Sequence, residues 1–392
     1  MTTKKALHFG AGNIGRGFVG VILHEAGYEL AFADVAAPLI DSLNELESYT
    51  VHEVGNGARE VRVTNFSGVN SAEDLEGLYS EVVEADLITT AVGPTVLQLI
   101  APSIAEGLKR RAEAGKDKVA VMACENAINA TDGLSAAIRE VYPGVDEIAF
   151  FPNTAVDRIV PNQERRTGAE ALDVVVETYH EWAVESGPFK TAGIEIPEIA
   201  GITWVDDLAP YITRKLFTVN TGHAATAYFG KQAGISTIAE ALSQEEIQRK
   251  VAAVLAETKQ LIVEKFDFDP QVQQDYVEKI LTRFQNPELP DTTDRVGRAP
   301  LRKISRNERF IGPAAELAER GHEVTALVEA VSAALEFDVP EDPESVELRK
   351  RLKQVADNEE ATNSLVTELT GIAPEHPLFA ALSQIFACEA VR

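Results

Sequence analysis

Cysteine is all but missing from this chain. Cys124 and Cys388 are the only two among 392 residues, too few for a disulfide framework, and with the seven histidines in no ligand-like spacing they give no zinc signature. No uninterrupted apolar stretch approaches the roughly 20 residues that a bilayer span needs. Positive charge is scarce: 36 Lys and Arg stand against 62 Asp and Glu, a net charge of −26, which argues against nucleic acid or an anionic membrane as partner. The first apolar run begins within a few residues of Met1, leaving no length for a signal peptide. Repeats, low-complexity segments and coiled-coil heptads are absent too. These absences leave a cytoplasmic, metal-independent protein with a small-molecule partner.

What is present is an ordinary apolar content of 45% and a length that fits two domains. The run Ala6-Leu7-His8-Phe9 passes straight into Gly10-Ala11-Gly12-Asn13-Ile14-Gly15-Arg16-Gly17 and then a helix-compatible stretch. Strand, glycine turn and helix make the dinucleotide fingerprint: Gly10 for the tight turn, Gly12 for approach to a pyrophosphate, Gly15 for helix-on-strand packing. A second run, Leu30-Ala31-Phe32-Ala33, ends at Asp34, where a carboxylate would accept from the adenosine ribose hydroxyls. The following Val35-Ala36-Ala37-Pro38 offers no cation for a 2′-phosphate, so NAD is expected over NADP. Later apolar runs at 86–92, broken at Gly93-Pro94, at 118–122, and at 147–151 leading into 154–161 continue a strand-helix alternation. Their ends line the crevice where open α/β sheets bind ligands, so Thr90, Val92 and Gly93 join Phe9, Gly10, Gly12, Asn13, Ile14, Gly15, Arg16 and Asp34 as cofactor-binding candidates. The fold expected is α/β, a Rossmann-type doubly wound sheet over 1–200 followed by a mostly α-helical domain over 201–392.

The second domain holds a stretch from Leu216 to Gly230 without one Asp, Glu, Lys or Arg, which predicts a helix buried nearly all round. On an α-helical wheel Lys215, His223 and Asn220 fall near ~0°, ~80° and ~140°, one broad arc. Burial would lower the lysine's pKa and make it a proton acceptor near neutrality. Singly, each residue has a duller explanation: a snorkelling lysine beside Arg214, satisfied core amides and hydroxyls, a hydrogen-bonded core histidine. Together on an uncharged face they favour a site. Tyr211-x-x-x-Lys215 also has the spacing of the short-chain dehydrogenase pair, but that family's GxxxGxG loop is not the one present here.

The segment Lys215-x4-Asn220-x2-His223 resembles the signature of the polyol-specific long-chain dehydrogenases. The resemblance extends through residues 6–17, Thr89–Gly93, Ala123-Cys-Glu-Asn126, Ala155–Pro161 and Arg295-Val-Gly-Arg-x-Pro-Leu-Arg-Lys303 to about residue 313. It implies that Lys215 is the general acid/base, that Asn220 and Asn126 stabilise the developing alkoxide, that His223 bonds a substrate hydroxyl, and that Asp157 lies near the polyol chain. It also implies an NAD-dependent enzyme, monomeric or weakly self-associating, that interconverts D-mannitol 1-phosphate and D-fructose 6-phosphate.

A dianionic substrate needs a positive site on an acidic protein. Between 295 and 309, Arg295, Arg298, Arg302, Lys303, Arg306 and Arg309 are opposed only by Glu308. Guanidinium groups grip phosphate oxygens in pairs, so Arg298, Arg302 and Arg306 are the phosphate candidates unless they merely pair with acids elsewhere. A neutral polyol or hexonate would leave that cluster without work, and a redox sensor that binds NAD(H) without turnover would have no use for Lys215.

Overall fold

The computed structural model describes residues 4–161, 163, 166–289 and 291–391. Two compact units divide the chain, Met1–Tyr211 and Ile212–Arg392. Twelve described strands lie in the first: β1 (Lys5–Phe9), β2 (Glu29–Asp34), β3 (Ser48–Val54), β4 (Arg59–Thr64), β5 (Phe66–Asn70), β6 (Leu87–Thr90), β7 (Val119–Ala123), β8 (Ala149–Phe150), β9 (Thr154–Asp157), β10 (Val174–Glu177), β11 (Glu181–Glu185) and β12 (Ile202–Val205).

Six of them form one sheet in the order β5-β2-β1-β6-β7-β8, with every neighbouring pair parallel. Counted within that sheet the order is 3-2-1-4-5-6, the doubly wound arrangement that places a ligand where β1 and β6 part company. Its strands are continuous apolar runs because helices cover both faces. Successive residues alternate between two cores: Ala6, Leu30 and Phe32 join the cluster around Phe18 and Trp182, whereas Leu7, Phe9, Ala31 and Ile88 join the one around Ile104 and Leu134. The sequence expectation of a Rossmann-type parallel sheet is met.

Two three-stranded sheets accompany it. β3 and β4 pair antiparallel, Ser48 opposite Thr64, and β10 adds to β3 in parallel. β9, which the sequence suggests as a further end of the main sheet, pairs antiparallel with β11 in a separate sheet. Its register places Asp157 opposite Glu181.

The second unit is mostly helical. At its centre the helix Thr221–Gln232 buries Thr221, Gly222 and every residue from Ala224 to Gly230, as its uncharged sequence predicts. Neighbouring helices approach closely because glycine permits it: a Cβ at Gly230 would stand 2.9 Å from both Ala241 Cβ and Thr293 Cγ2. The apolar periodicity over 314–335 is divided between two helices, Ile311–Glu319 and Thr325–Leu335, with Gly321 at φ +82° between them.

Both units contain a π-helical turn, Gly15–Val19 in the first and Lys215–Asn220 in the second. Neither is expected from a 3.6-residue period, and such turns occur most often at functional sites.

Candidate active site

In the first unit the glycine loop leaves the carboxyl end of β1. Gly10 sits at φ +101°, a backbone that only glycine adopts without strain, and its N–H donates to Ala33 O of β2. A Cβ on Gly15 would stand 1.9 Å from Gly10 O and 2.8 Å from His8 Nε2, whereas one on Gly12 would meet nothing within 4 Å. Gly15 is thus required for packing and Gly12 leaves an open flank. Asp34, at the end of β2, accepts from Ala11 N–H at 2.8 Å through Oδ2 and from Ala36 N–H at 2.9 Å through Oδ1. Its carboxylate is thereby fixed beside the loop, and Val35 next to it is exposed. Ile14 is half in solvent. Arg16 is turned inward, its guanidinium bonding Leu172 O, Ala11 O and Asn13 Oδ1, so that it braces the loop. An open backbone flank at Gly12 with a carboxylate on the adjoining strand end fits a dinucleotide.

Glu125 is a residue the sequence reading passed over. It is buried, and its carboxylate accepts from Thr90 Oγ1 at 2.8 Å, Val92 N–H at 2.9 Å and Gly93 N–H at 2.9 Å. These three donors, with no cation among the described residues, tie the β6 loop to the end of β7. Asn126 follows at once and is exposed. His8, fully buried under the loop, shares a 2.7 Å bond between Nδ1 and Thr89 Oγ1, and burial holds its pKa down to about 3.

In the second unit Lys215, Asn220 and His223 lie on one continuous element, the π turn and the helix after it. Each is half-buried. The turn's carbonyls are bracketed: Leu216 O accepts from the Thr221 N–H and its hydroxyl, and Asn220 O accepts a long 3.5 Å bond from Arg309. His223 stacks on Phe284 with 4.7 Å between centroids and 14° between planes, and its Nε2 lies 3.3 Å from Asp291 Oδ2. Burial, with Arg295, Arg283, Lys303 and Arg309 nearby, holds the imidazole down to about 3. Arg295 pairs with Asp291, which offsets the carboxylate's own pull on the ring. A neutral His223 that donates Nε2–H to Asp291 keeps its Nδ1 lone pair as an acceptor. Asp291, 68 positions from His223, carries no local sequence signal for this role.

The basic segment behaves unevenly. Arg302 bonds Glu308 at 2.7 Å and Arg306 bonds Glu319 at 3.2 Å. Arg298 is exposed and, among the described residues, its side chain makes no hydrogen bond or ion pair. Lys303 is buried against Val296 O and Arg298 O, and burial beside Arg309 and Arg302 lowers its pKa to about 7. Asp157 is buried in β9. Among the described residues no three His, Cys, Asp or Glu side chains gather as metal ligands, and no helix is long and apolar enough to cross a membrane.

Family models decide the kinship. Residues 4–198 match the mannitol dehydrogenase Rossmann domain and residues 207–382 the mannitol dehydrogenase C-terminal domain. The chain belongs to the mannitol dehydrogenase family. It is 54% identical over 386 residues to a mannitol-1-phosphate 5-dehydrogenase of Arthrobacter sp. (strain FB24), covering 97% of each chain. It is 51% identical over 383 residues to one from Ajellomyces capsulatus, covering 96% of each. Among solved structures, the Pseudomonas fluorescens mannitol 2-dehydrogenase, a ternary complex with NAD and D-mannitol, superposes with a TM-score of 0.72 at 17% identity, covering 99% of this chain and 91% of that one. A substrate-free D-sorbitol dehydrogenase gives 0.74 at 17%, covering 98% and 92%. At such identity these two share the fold of this mannitol dehydrogenase family member.

Proposed function

We propose that the chain is an NAD-dependent, metal-independent oxidoreductase that interconverts D-mannitol 1-phosphate and D-fructose 6-phosphate, with Lys215 as general acid/base. The observation that carries this reading is the run of Lys215, Asn220 and a neutral His223 along one mostly buried element. The names of the full-length relatives supply the substrate.

When bound, the nicotinamide supplies the hydride acceptor or donor at its C4. The glycine loop from Gly10 to Gly15 and the Asp34 carboxylate hold the nucleotide, and the β6 loop through Thr90, Val92 and Gly93 is kept in shape by Glu125. Lys215 takes the hydroxyl proton as the alcohol is oxidised and returns it to the carbonyl oxygen in reverse. The side-chain amides of Asn220 and Asn126 donate to the oxygen as it gains negative charge. His223 accepts from a neighbouring hydroxyl through Nδ1, Asp157 is assigned to the polyol chain, and Arg298 leads the phosphate contacts, with Arg302 and Arg306 behind it.

The carboxylate partners of Arg302 and Arg306 favour a second reading, an unphosphorylated polyol as substrate. Initial rates of NADH oxidation with fructose 6-phosphate and with fructose separate the two. Strong preference for the phosphate ester is expected. Arg298→Ala should raise KM for the ester by about tenfold, the worth of one charge-assisted bond, and leave fructose untouched. Equal use of both sugars would move the reading to a polyol dehydrogenase.

A further inference from the structure

The spacing Lys215-x4-Asn220-x2-His223 suits a π turn followed by an α-helix and does not suit an α-helix alone. In a continuous α-helix Asn220 would be turned by about 140° from Lys215. In an i→i+5 turn, residues five apart come to adjacent positions on one face, as residues four apart do in an α-helix. Lys215 and Asn220 bound the π turn and are five apart. His223 then follows three residues later inside the α-helix Thr221–Gln232, again on the same face. The extra residue per turn therefore converts a broad arc into a narrow stripe.

A π turn is unusual backbone, and its persistence calls for local support. The support is visible. The Thr221 hydroxyl, fully buried, shares its proton between Leu216 O at 3.0 Å and Arg309 O at 2.8 Å. Arg309 answers with a guanidinium bond to Asn220 O. Gln273, also fully buried, donates to Thr218 Oγ1 at 3.1 Å. The Thr221 hydroxyl thus joins the widened turn, at Leu216 O, to the segment that braces it, at Arg309 O.

We propose that Thr221 is a positioning residue: its hydroxyl holds the π register that aligns Asn220 with Lys215, and so sets the rate of the proton-transfer step without touching substrate. The inference rests on the reading of Lys215 as the acid/base.

The test uses the full-length protein as Thr221→Val, Thr221→Ser and, separately, Lys215→Ala. Rates of fructose 6-phosphate reduction are expressed per NADH-binding site, titrated by fluorescence, so that misfolded protein does not count. Misplacement by about an ångström can cost roughly a hundredfold. Thr221→Val should accordingly lower kcat by about ten- to a hundredfold, shift the limb of the kcat pH profile that reports the lysine, and leave the NADH Kd within about twofold. Thr221→Ser, which keeps the hydroxyl, should recover most of the rate and the wild-type profile. If valine prevents folding, Thr221→Ala replaces it in the same comparison. An unchanged kcat and profile in the hydroxyl-free variant overturns the proposal, as does an equal loss with serine. Lys215→Ala reports on the underlying reading separately: substantial activity there removes the lysine from the mechanism whatever Thr221 does.

Discussion

The two π turns use one backbone device for opposite ends. Each has a hydroxyl and an arginine at its carbonyls. In the first, Tyr49 Oη donates to Arg16 O at 3.1 Å and Arg158 to Gly17 O at 3.1 Å; in the second, Thr221 and Arg309 play those parts. They differ in what the widened turn presents. Gly15–Val19 is built by leaving side chains out: a Cβ at Gly17 would stand 2.7 Å from Val176 Cγ1, and one at Gly20 2.7 Å from Gly15 O. Lys215–Asn220 carries the proposed acid/base and a proposed amide donor at its two ends. Under the proposed function the first turn would offer main chain to the nucleotide and the second side chains to the reaction, so substitutions should separate binding from catalysis.

The sharpest break in that comparison is Lys215→Ala. It should lower kcat by about a thousandfold or more, in the upper range of acid–base contributions, with NADH titrating almost as before. Next comes Gly15→Ala, whose methyl cannot coexist with Gly10 O. NADH affinity should fall by on the order of a hundredfold, or the unit should lose about 1–3 kcal/mol of stability, the usual cost of overpacking. A Gly15→Ala protein with wild-type NADH affinity and Tm would refute the crowding argument. Tyr49→Phe sharpens the contrast with Thr221: removal of its hydroxyl should cost about 1 kcal/mol and weaken NADH binding a few-fold, with kcat at saturating cofactor unchanged. A kcat defect matching that of Thr221→Val would mean that the two turns are not functionally separate.

A further test concerns pH, and both units share it. An unfolded imidazole takes up a proton near 6.5, whereas His8 in the first unit and His223 in the second do so only near 3. Unfolding therefore binds protons between those values. The contribution of these two residues to stability is complete above about 6.5 and is lost as pH falls toward 3. A series of Tm measurements should decline through this window, and a flat series down to about pH 4 would contradict the lowered pKa of both rings.

The glycine loop, Asp34 and the parallel sheet were legible because each has a local signature: spacing, a strand end, an unbroken apolar run. The buried helix was legible from its lack of charge between Leu216 and Gly230. The π turns were not, since a helical wheel assumes one period throughout, and the bonds that hold them come from Tyr49, Arg158 and Arg309, far off in sequence. The hairpin β3/β4 escaped notice because its alternation is polar outward, unlike the continuous runs of the main sheet. The basic segment 295–309 is less isolated from acids than its sequence suggests. Its apparent isolation came from stopping at residues 295 and 309, while Asp291 and Glu319 lie just outside and pair with Arg295 and Arg306.

Glu125 carries a consequence for the thermodynamics of cofactor capture. The amide protons of Val92 and Gly93, although they belong to a loop, are bonded to a buried carboxylate. They should exchange slowly with solvent deuterium in the free protein, at rates closer to those of the strands than of an exposed turn. A loop ordered during folding has little conformational entropy left to lose when a ligand arrives. Calorimetry of NADH binding should then show a smaller entropic penalty in the wild-type protein than in Glu125→Ala, where the same segment must be ordered by the ligand itself.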